Sequence, residues 1–91
     1  MTITVYSANN CMQCRFTKDM LEREGIEFSE KNVDDNESYR EVVRQLGFQT
    51  VPVTTLRNNE GELVWVVSGF DPPSLGALKR LQAGQQEKER E

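Results

Sequence analysis

The first part of the chain shows the hydrophobic pattern of a strand and then that of a helix. Residues 2–6 alternate between polar and apolar, with Ile3 and Val5 on one face, which predicts a β-strand. Over residues 11–24 apolar positions recur at four-residue intervals, as on one side of a helix, and Gly25 is a typical helix stop. The apolar stripe of this helix consists of Met12, Phe16, Met20 and Leu21. We therefore expect a strand followed by an amphipathic helix with this stripe as its apolar face.

The middle of the chain repeats the alternation between strand and helix. Ile26–Val33 has the composition of a second strand. A strand–helix–strand order in so short a segment predicts two parallel strands joined by a right-handed crossover. Residues 34–36 offer N-caps for a second helix, which Gly47 closes. The apolar residues of that helix, at helical spacing, are Tyr39, Val42, Val43 and Leu46.

The last part of the chain predicts a hairpin and a third helix. Val51–Arg57 and Glu62–Ser68 are rich in β-forming residues, and the Asn-Asn-Glu-Gly sequence between them is a strong turn signal. Both faces of the run at residues 63–67 are apolar, so we expect helices to cover this strand on both sides. Asp71 is the expected N-cap of the last helix, ahead of two prolines in its first turn. The apolar residues of this helix are Leu75, Leu78 and Leu81.

The predicted elements follow the order β-α-β-α-β-β-α. Two parallel strands and then an antiparallel hairpin predict an α/β fold with a four-stranded mixed sheet and helices on both faces. This order of elements is that of the thioredoxin fold in its minimal form. Residues 1–82 contain all of these elements and are expected to form one domain. Residues 83–91 are polar and highly charged, and we expect them to be a disordered tail.

Composition and charge narrow the classes of function. A net charge of −4 makes nucleic acid an unsuitable partner. The first residues lack the basic region of a secretory signal and the long apolar run of a membrane span, so we expect no membrane association. The absence of histidine removes Cys–His catalysis and zinc sites that depend on imidazole. Two cysteines separated by two residues fit a reducing compartment, and we expect a cytoplasmic protein.

Thiol chemistry remains, and both cysteines lie at the predicted start of the first helix. Asn10 is the candidate N-cap, so Cys11 is next to the unpaired N–H groups and the positive dipole end that favour a thiolate. Arg15 and Lys18 add positive potential one turn below the two cysteines. We expect Cys11 to be the nucleophile and Cys14 to resolve the mixed disulfide. The competing interpretation is a structural pair or half of a metal site, but two thiolates without histidine do not complete a tetrahedral zinc site.

Two further segments are candidates for binding a partner. The proline of Val51-Pro52 begins the third strand after the strand–helix–strand unit that carries the cysteines, so we expect a cis bond that turns the Val51 backbone toward Cys11 and exposes it to an incoming extended peptide. An ordinary proline at a strand edge is the alternative. In Ser68-Gly69-Phe70 the glycine permits close approach by a ligand backbone. Phe70 is either an exposed contact residue or part of the core.

Three segments of the chain carry a family resemblance. They are Cys11-Met12-Gln13-Cys14, Leu46-Gly47-Phe48 leading to Val51-Pro52-Val53, and Ser68-Gly69-Phe70 followed by Pro72. Over residues 1–82 the chain resembles the glutaredoxin-class redoxins, and most of all the NrdH-redoxins, whose motif is Cys-Val-Gln-Cys. Gln13 is the specific point, because glutaredoxins that use glutathione usually have Cys-Pro-Tyr-Cys with a basic residue before it. The chain departs from the NrdH-redoxins at Val67 and Asp71, where tryptophan and arginine are usual, and in its longer hairpin.

The resemblance implies a dithiol–disulfide oxidoreductase that carries electrons. Such a protein is expected to be a monomer, to be reduced by thioredoxin reductase, and to donate electrons to ribonucleotide reductase or another disulfide-bearing protein. Its redox group is the Cys11–Cys14 disulfide, with no further cofactor and no metal. The residues to which the resemblance assigns partner binding are Met12, Gln13, Val51, Pro52, Ser68, Gly69 and Phe70.

Two other functions stay open at the level of the sequence. The first is a glutaredoxin or mycoredoxin-like enzyme that uses a low-molecular-weight thiol, against which the missing basic residue before Cys11 argues. The second is an iron–sulfur or metal carrier that bridges two chains through Cys11. Carriers of that kind usually have a single active cysteine, so the presence of Cys14 argues against it.

Overall fold

A computed structural model describes the backbone of residues 1–90 and the side chains of residues 1–81. Its strands and helices follow the order predicted from the sequence. The strands are β1 (Thr2–Ser7), β2 (Ser29–Asn32), β3 (Val53–Arg57) and β4 (Leu63–Ser68). The helices are α1 (Met12–Arg23), α2 (Glu37–Gln45) and α3 (Pro72–Arg90).

The four strands form one mixed sheet in the order β2-β1-β3-β4. Strand β1 pairs in parallel with β2 and antiparallel with β3, and β3 pairs antiparallel with β4. The parallel pair followed by an antiparallel hairpin is the arrangement predicted above, and the thioredoxin-like fold is confirmed. Strand β1 is a central strand, so the loop that follows Ser7 starts in the middle of the sheet, at the end where β1 finishes. That loop leads directly to the two cysteines.

Each face of the sheet has its own hydrophobic cluster. The cluster shared with α1 and α3 consists of Ile3, Val5, Leu21, Ile26, Leu56, Leu75 and Leu78. The cluster on the face of α2 consists of Tyr6, Val33, Val43 and Val53. The alternation along β1 separates the two, since Val5 faces α1 and α3 whereas Tyr6 faces α2. Helices therefore lie on both faces of the sheet, as predicted.

The prediction for the apolar face of α1 is wrong over its first two turns. The buried residues of this helix are Cys14, Thr17 and Leu21, whereas Met12 is 61% exposed and Phe16 is 45% exposed. Residues at i, i+3 and i+7 share one helix face, so the burial of Cys14 determines which row contacts the sheet. The row that begins at Met12 then points away from the core, and it leaves two large apolar side chains beside the cysteines.

The prediction that β4 is covered on both sides holds for the second half of the strand and not for its start. Strand β4 is the edge of the sheet, and Val64 near its start is 49% exposed. Trp65 and Val67 pack against the cluster under α1 and α3, while Val66 packs against the cluster under α2. Trp65 is thus a packing residue, as expected. An apolar run in the sequence does not distinguish an edge strand from a central one, because the distinction depends on the pairing of distant segments.

Helix α3 begins as predicted. The backbone N–H of Ser74 donates a hydrogen bond of 3.2 Å to Oδ1 of Asp71, which caps the helix. The backbone of α3 extends to Arg90, but the side chains of residues 82–90, and Glu91 altogether, lie outside the described residues. The predicted disorder of residues 83–91 therefore stays a prediction. Within the described part of the chain, no helix combines the length and the apolar character needed to cross a membrane.

Candidate active site

The two cysteines form a disulfide at the start of α1. Cys11 and Cys14 are bonded to each other, with 5.2 Å between their Cα atoms. Cys14 is 2% exposed and lies on the buried row of α1, whereas Cys11 is half-buried. A thiolate that approaches from solvent therefore reaches Cys11 first.

Cys11, and not Asn10, is the N-cap residue of α1. The φ of Cys11 is −107° and its ψ is 105°, and its Sγ accepts a hydrogen bond of 3.1 Å from the backbone N–H of Cys14. Asn10 instead has a φ of 56°, a left-handed conformation that asparagine tolerates better than most residues. The first turn of α1 contains no acidic residue. The capping position supplies an N–H donor to the sulfur and places it at the positive end of the helix dipole, which favours a thiolate.

The loop before the disulfide is fixed by hydrogen bonds to the segment after β2. The backbone N–H of Asn9 donates to Oδ2 of Asp34 at 2.8 Å, and Nδ2 of Asn32 donates to Oδ1 of Asn9 at 3.0 Å. Asp34 also pairs with Arg40 of α2 at 2.9 Å. These contacts were not evident from the sequence, because they join the ends of two strands that only the sheet brings together. These hydrogen bonds fix the backbone of the loop that precedes Cys11.

The Val51–Pro52 peptide bond is cis, as predicted. Pro52 is buried, and its carbonyl oxygen accepts a hydrogen bond of 2.8 Å from the backbone N–H of Gly69. The side chain of Val51 is half-buried and packs against the cluster under α2. This hydrogen bond joins the two candidate binding segments of the sequence, Val51-Pro52 and Ser68-Gly69-Phe70. That the Val51 backbone faces Cys11 stays a prediction.

Gln13 links the cysteine motif to the loop after β4. Its Oε1 accepts a hydrogen bond of 3.3 Å from the backbone N–H of Phe70. Gly69 has a φ of +81°, and a Cβ added there would lie 3.6 Å from Oε1 of Gln13. The positive φ favours glycine at this position, whereas a Cβ at that distance would be in ordinary van der Waals contact with the amide of Gln13. Gln13, Gly69 and Phe70, which the sequence predicted as binding residues, are thus in one place, while Ser68 is exposed at the end of β4.

Phe70, whose backbone N–H contacts Gln13, also forms an aromatic pair with Phe16 of α1. The rings of Phe16 and Phe70 have their centroids 5.6 Å apart and are inclined at 54°. Phe70 is half-buried and packs against the cluster under α1 and α3, and its contact with a partner stays a prediction. We call Phe16 and Phe70 the aromatic flank. Phe16 was assigned to the core by its spacing, and only the orientation of α1 shows that it is part of this surface.

The cleft that contains the disulfide is lined by two basic side chains. A cleft of about 530 Å³ is lined by Ala8, Asn10, Cys11, Met12, Cys14, Arg15 and Lys18. We call Arg15 and Lys18 the cationic flank. Nζ of Lys18 donates to Oε2 of Glu30 at 2.8 Å, and the buried hydroxyl of Ser7 donates to the same oxygen at 2.7 Å. The hydrogen bonds from Lys18 and then from Ser7 hold the pKa of the Glu30 carboxyl below its usual value. Sequence reasoning missed Ser7 and Glu30, which are 23 residues apart.

Comparison with known proteins places this geometry in a family. The family model described as glutaredoxin matches residues 3–60. The glutaredoxin-like protein NrdH of Lactococcus lactis subsp. cremoris is 40% identical over 76 residues, which cover 84% of this chain and 97% of that protein. The corresponding Escherichia coli K12 protein is 38% identical over 78 residues, covering 86% of this chain and 89% of that protein.

Solved structures agree with this placement. The structure described as the glutaredoxin-like protein NrdH-redoxin from Escherichia coli, with a thioredoxin-like activity profile, superimposes with a TM-score of 0.73 at 35% identity. The match covers 86% of this chain and 95% of that one. Thioredoxin f2 of Chlamydomonas reinhardtii has a TM-score of 0.66 at 23% identity, covering 89% of this chain and 77% of that one, which shows a shared fold alone.

Proposed function

Because the chain belongs to the glutaredoxin family and is similar to its NrdH members over most of its length, we propose that it is a dithiol electron carrier reduced by thioredoxin reductase. The protein is a thiol–disulfide oxidoreductase whose redox pair is Cys11 and Cys14. The proposal adds the direction of electron flow. Electrons enter from the reductase and leave to the disulfide of ribonucleotide reductase or of another protein.

In the proposed reaction Cys11 is the nucleophile and Cys14 the resolving residue. The Cys11 thiolate attacks one sulfur of the substrate disulfide, and the other substrate sulfur leaves as a thiolate. The Cys14 thiolate then attacks Sγ of Cys11 in the mixed disulfide, which releases the second substrate thiolate. Two electrons have passed to the substrate, and Cys11 and Cys14 are left as a disulfide. The reductase returns two electrons to that disulfide and restores the dithiol.

The observation that carries this assignment is the unequal environment of the two sulfurs. Cys11 is half-buried and caps α1, with its Sγ accepting from the N–H of Cys14, whereas Cys14 is buried. A capping sulfur is stabilised as a thiolate by that donor and by the helix dipole. The sulfur of Cys14 is buried three residues later in the chain, so the sulfur within its reach is Sγ of Cys11. The environment of Cys11 therefore favours attack on the substrate, and that of Cys14 favours resolution of the mixed disulfide.

A protein reductase suits the surface around the disulfide better than a small anionic thiol does. The loop at residues 7–10 has no basic side chain, and Asp71 adds a carboxylate next to Phe70, although it is engaged in capping α3. A protein partner contacts a broader area. We assign that contact to exposed Met12 and Gln13, to the Val51-Pro52 backbone, and to the segment Ser68–Phe70. In this proposal the protein acts as a monomer in the cytoplasm and needs no metal or bound cofactor.

A coupled assay with cysteine variants tests the proposal. NADPH oxidation with thioredoxin reductase and a protein disulfide is compared with the same assay driven by glutathione and its reductase. We expect turnover with thioredoxin reductase, and a rate at least tenfold lower with glutathione. Cys11→Ser should abolish turnover, whereas Cys14→Ser should accumulate the mixed disulfide that mass spectrometry detects.

Two outcomes contradict the proposal. Fast turnover with glutathione and little with thioredoxin reductase would assign the protein to the enzymes that use a low-molecular-weight thiol. Accumulation of a mixed disulfide in Cys11→Ser instead of Cys14→Ser would reverse the roles of the two sulfurs.

A further inference from the structure

The cleft beside the disulfide has a charge opposite to that of the whole chain. The net charge of the protein is −4, yet the charged residues that line this cleft are Arg15 and Lys18. Cys11 and Cys14 line the same cleft, so a substrate disulfide that reaches Cys11 is next to both cations. A local excess of positive charge on an acidic protein points to a negatively charged group in the ligand.

The two cations of the cleft are not equivalent. Lys18 is paired with Glu30 at 2.8 Å, and the hydroxyl of Ser7 donates to the same carboxylate oxygen. Since Glu30 is held ionised by these contacts, it compensates much of the charge of Lys18. Arg15 is exposed and has no ion-pair partner among the residues that the structure describes. The uncompensated charge of the cleft is therefore that of Arg15.

The arginines of α2 show what a compensated site is like in the same molecule. Arg40 pairs with Asp34 at 2.9 Å and Arg44 pairs with Glu41 at 3.1 Å. Both line a larger cavity, of about 780 Å³, which extends along α2 to Val51. Carboxylates of the protein itself already neutralise these guanidinium groups. That cavity therefore lacks the charge that would select an anion, although it is larger.

We propose that Arg15 binds a carboxylate side chain of the protein substrate, so that the enzyme prefers disulfides flanked by an acidic residue. Arg15 is one turn into α1 from the capping Cys11: its backbone N–H donates a hydrogen bond of 3.2 Å to the carbonyl oxygen of Cys11, and both side chains line the same cleft. An extended peptide advances about 3.3 Å per residue. A glutamate or aspartate within two residues of the attacked half-cystine is thus in reach of the guanidinium group, which binds carboxylates in a bidentate manner.

The recognised carboxylate takes no part in the exchange of sulfur atoms. It orients the substrate disulfide over Cys11, and the electrons still pass from the Cys11–Cys14 dithiol to the substrate sulfurs. The inference rests on the proposed function, because it needs a protein disulfide as the substrate. It adds a preference that the dithiol chemistry does not require, and Arg15 is the residue that determines it.

The test uses the reduced protein and three synthetic peptides with an intramolecular disulfide. The peptides differ at one residue next to the half-cystine, which is glutamate, glutamine or lysine. Single-turnover rates are measured by acid quench and chromatography, with no other reductant present. An exposed ion pair corresponds to a factor of about 1.5 to 5, so the wild type should reduce the glutamate peptide that much faster than the glutamine peptide, and the lysine peptide more slowly. High salt should remove the difference.

Variants of Arg15 separate recognition from reactivity. Arg15→Gln should abolish the preference, and Arg15→Glu should reverse it in favour of the lysine peptide. A change in the reactivity of the Cys11 thiolate alters all three rates by the same factor, so the ratio of rates isolates the contact. Arg80→Gln, which makes the same charge change on the exposed surface of α3, is the matched control and should keep the preference.

Each failure has a separate meaning. Equal rates for the three peptides with the wild type, or an unchanged preference in Arg15→Gln, would overturn the role of Arg15. A uniform slowing of all three peptides in Arg15→Gln would also overturn it and would leave Arg15 as a source of positive potential alone. Failure of the reduced wild type to reduce any peptide would instead overturn the proposed function.

Discussion

The cationic flank and the aromatic flank of the disulfide meet on α1 but are built differently. Arg15 and Phe16 are consecutive residues of α1, and the helix turns by about 100° between them, so their side chains point in different directions. Arg15 is exposed and unconnected to the core, whereas Phe16 stacks on Phe70, which packs against the cluster under α1 and α3.

The two flanks differ in how closely each is connected to the hydrophobic core. On the cationic flank, Arg15 can be changed without affecting the fold because its side chain is exposed, whereas Lys18 is tied to β2 by its ion pair with Glu30. The aromatic flank is continuous with the core, so it presents a rigid apolar contact whose alteration also affects stability. A substitution in the aromatic flank is therefore expected to change the stability of the protein, whereas a substitution of Arg15 is not.

The largest effect on stability is expected for Phe70→Ala. Burial of a whole phenylalanine stabilises a protein by roughly 1.5–3 kcal/mol, so loss of this half-buried ring should lower the free energy of unfolding by about 1–2 kcal/mol. Phe16→Ala loses mainly the ring pair and should cost about 0.5–1 kcal/mol. Urea denaturation of both variants and of the double variant measures the coupling between the rings. Equal effects of the two single variants would show that Phe70 is not anchored in the core.

A smaller and pH-dependent effect is expected on the cationic flank. The pKa of Glu30 is lowered in the folded protein from its usual value of 4.5, first by the hydrogen bond from Lys18 and then by that from Ser7. Its contribution to stability is therefore present above that value and is lost as the pH falls through the lower folded pKa. Its side chain is 38% exposed, so Glu30→Gln should lower stability at pH 7 by less than about 1 kcal/mol.

The pH profile of Glu30→Gln identifies this contribution. The difference in unfolding free energy from the wild type should shrink toward zero as the pH falls through the lowered folded pKa and the carboxyl of the wild type becomes protonated. Glu60→Gln, at an exposed position in the turn between β3 and β4, is the control and should show no such profile. A difference that stays constant from pH 7 to pH 3 would mean that Glu30 acts through packing and not through its charge.

The smallest effect is expected for the link between the cysteine motif and the loop after β4. Gln13→Ala removes the acceptor of the Phe70 N–H and should speed hydrogen exchange of that amide severalfold, with a change in global stability of at most about 0.5 kcal/mol. Gln13→Glu retains an acceptor oxygen and should preserve the protection. Equally fast exchange of the Phe70 amide in the wild type and Gln13→Ala, measured by NMR, would show that the bond does not hold the loop.

Local patterns in the sequence were sufficient for the element order and for the chemistry. The spacing of Cys11 and Cys14, the absence of histidine and the strand before them indicated a dithiol site, since these features concern neighbouring residues and residue types. The caps and stops were equally local, and Asp71 caps α3 as predicted. The cis bond at Pro52 was predicted from its place after the first strand–helix–strand unit.

Only the tertiary structure decided how these elements face one another. The rotation of α1 about its axis depends on Cys14 being buried against the sheet, and this exposes Phe16, which the apolar spacing had placed on the apolar face. The edge position of β4 and the contact of Ser7 with Glu30 depend on which distant segments pair in the sheet. Sequence periodicity reports which residues share a face of one element. Which neighbour covers that face is decided by packing between segments far apart in the chain, and this packing produced the two unlike flanks of the disulfide.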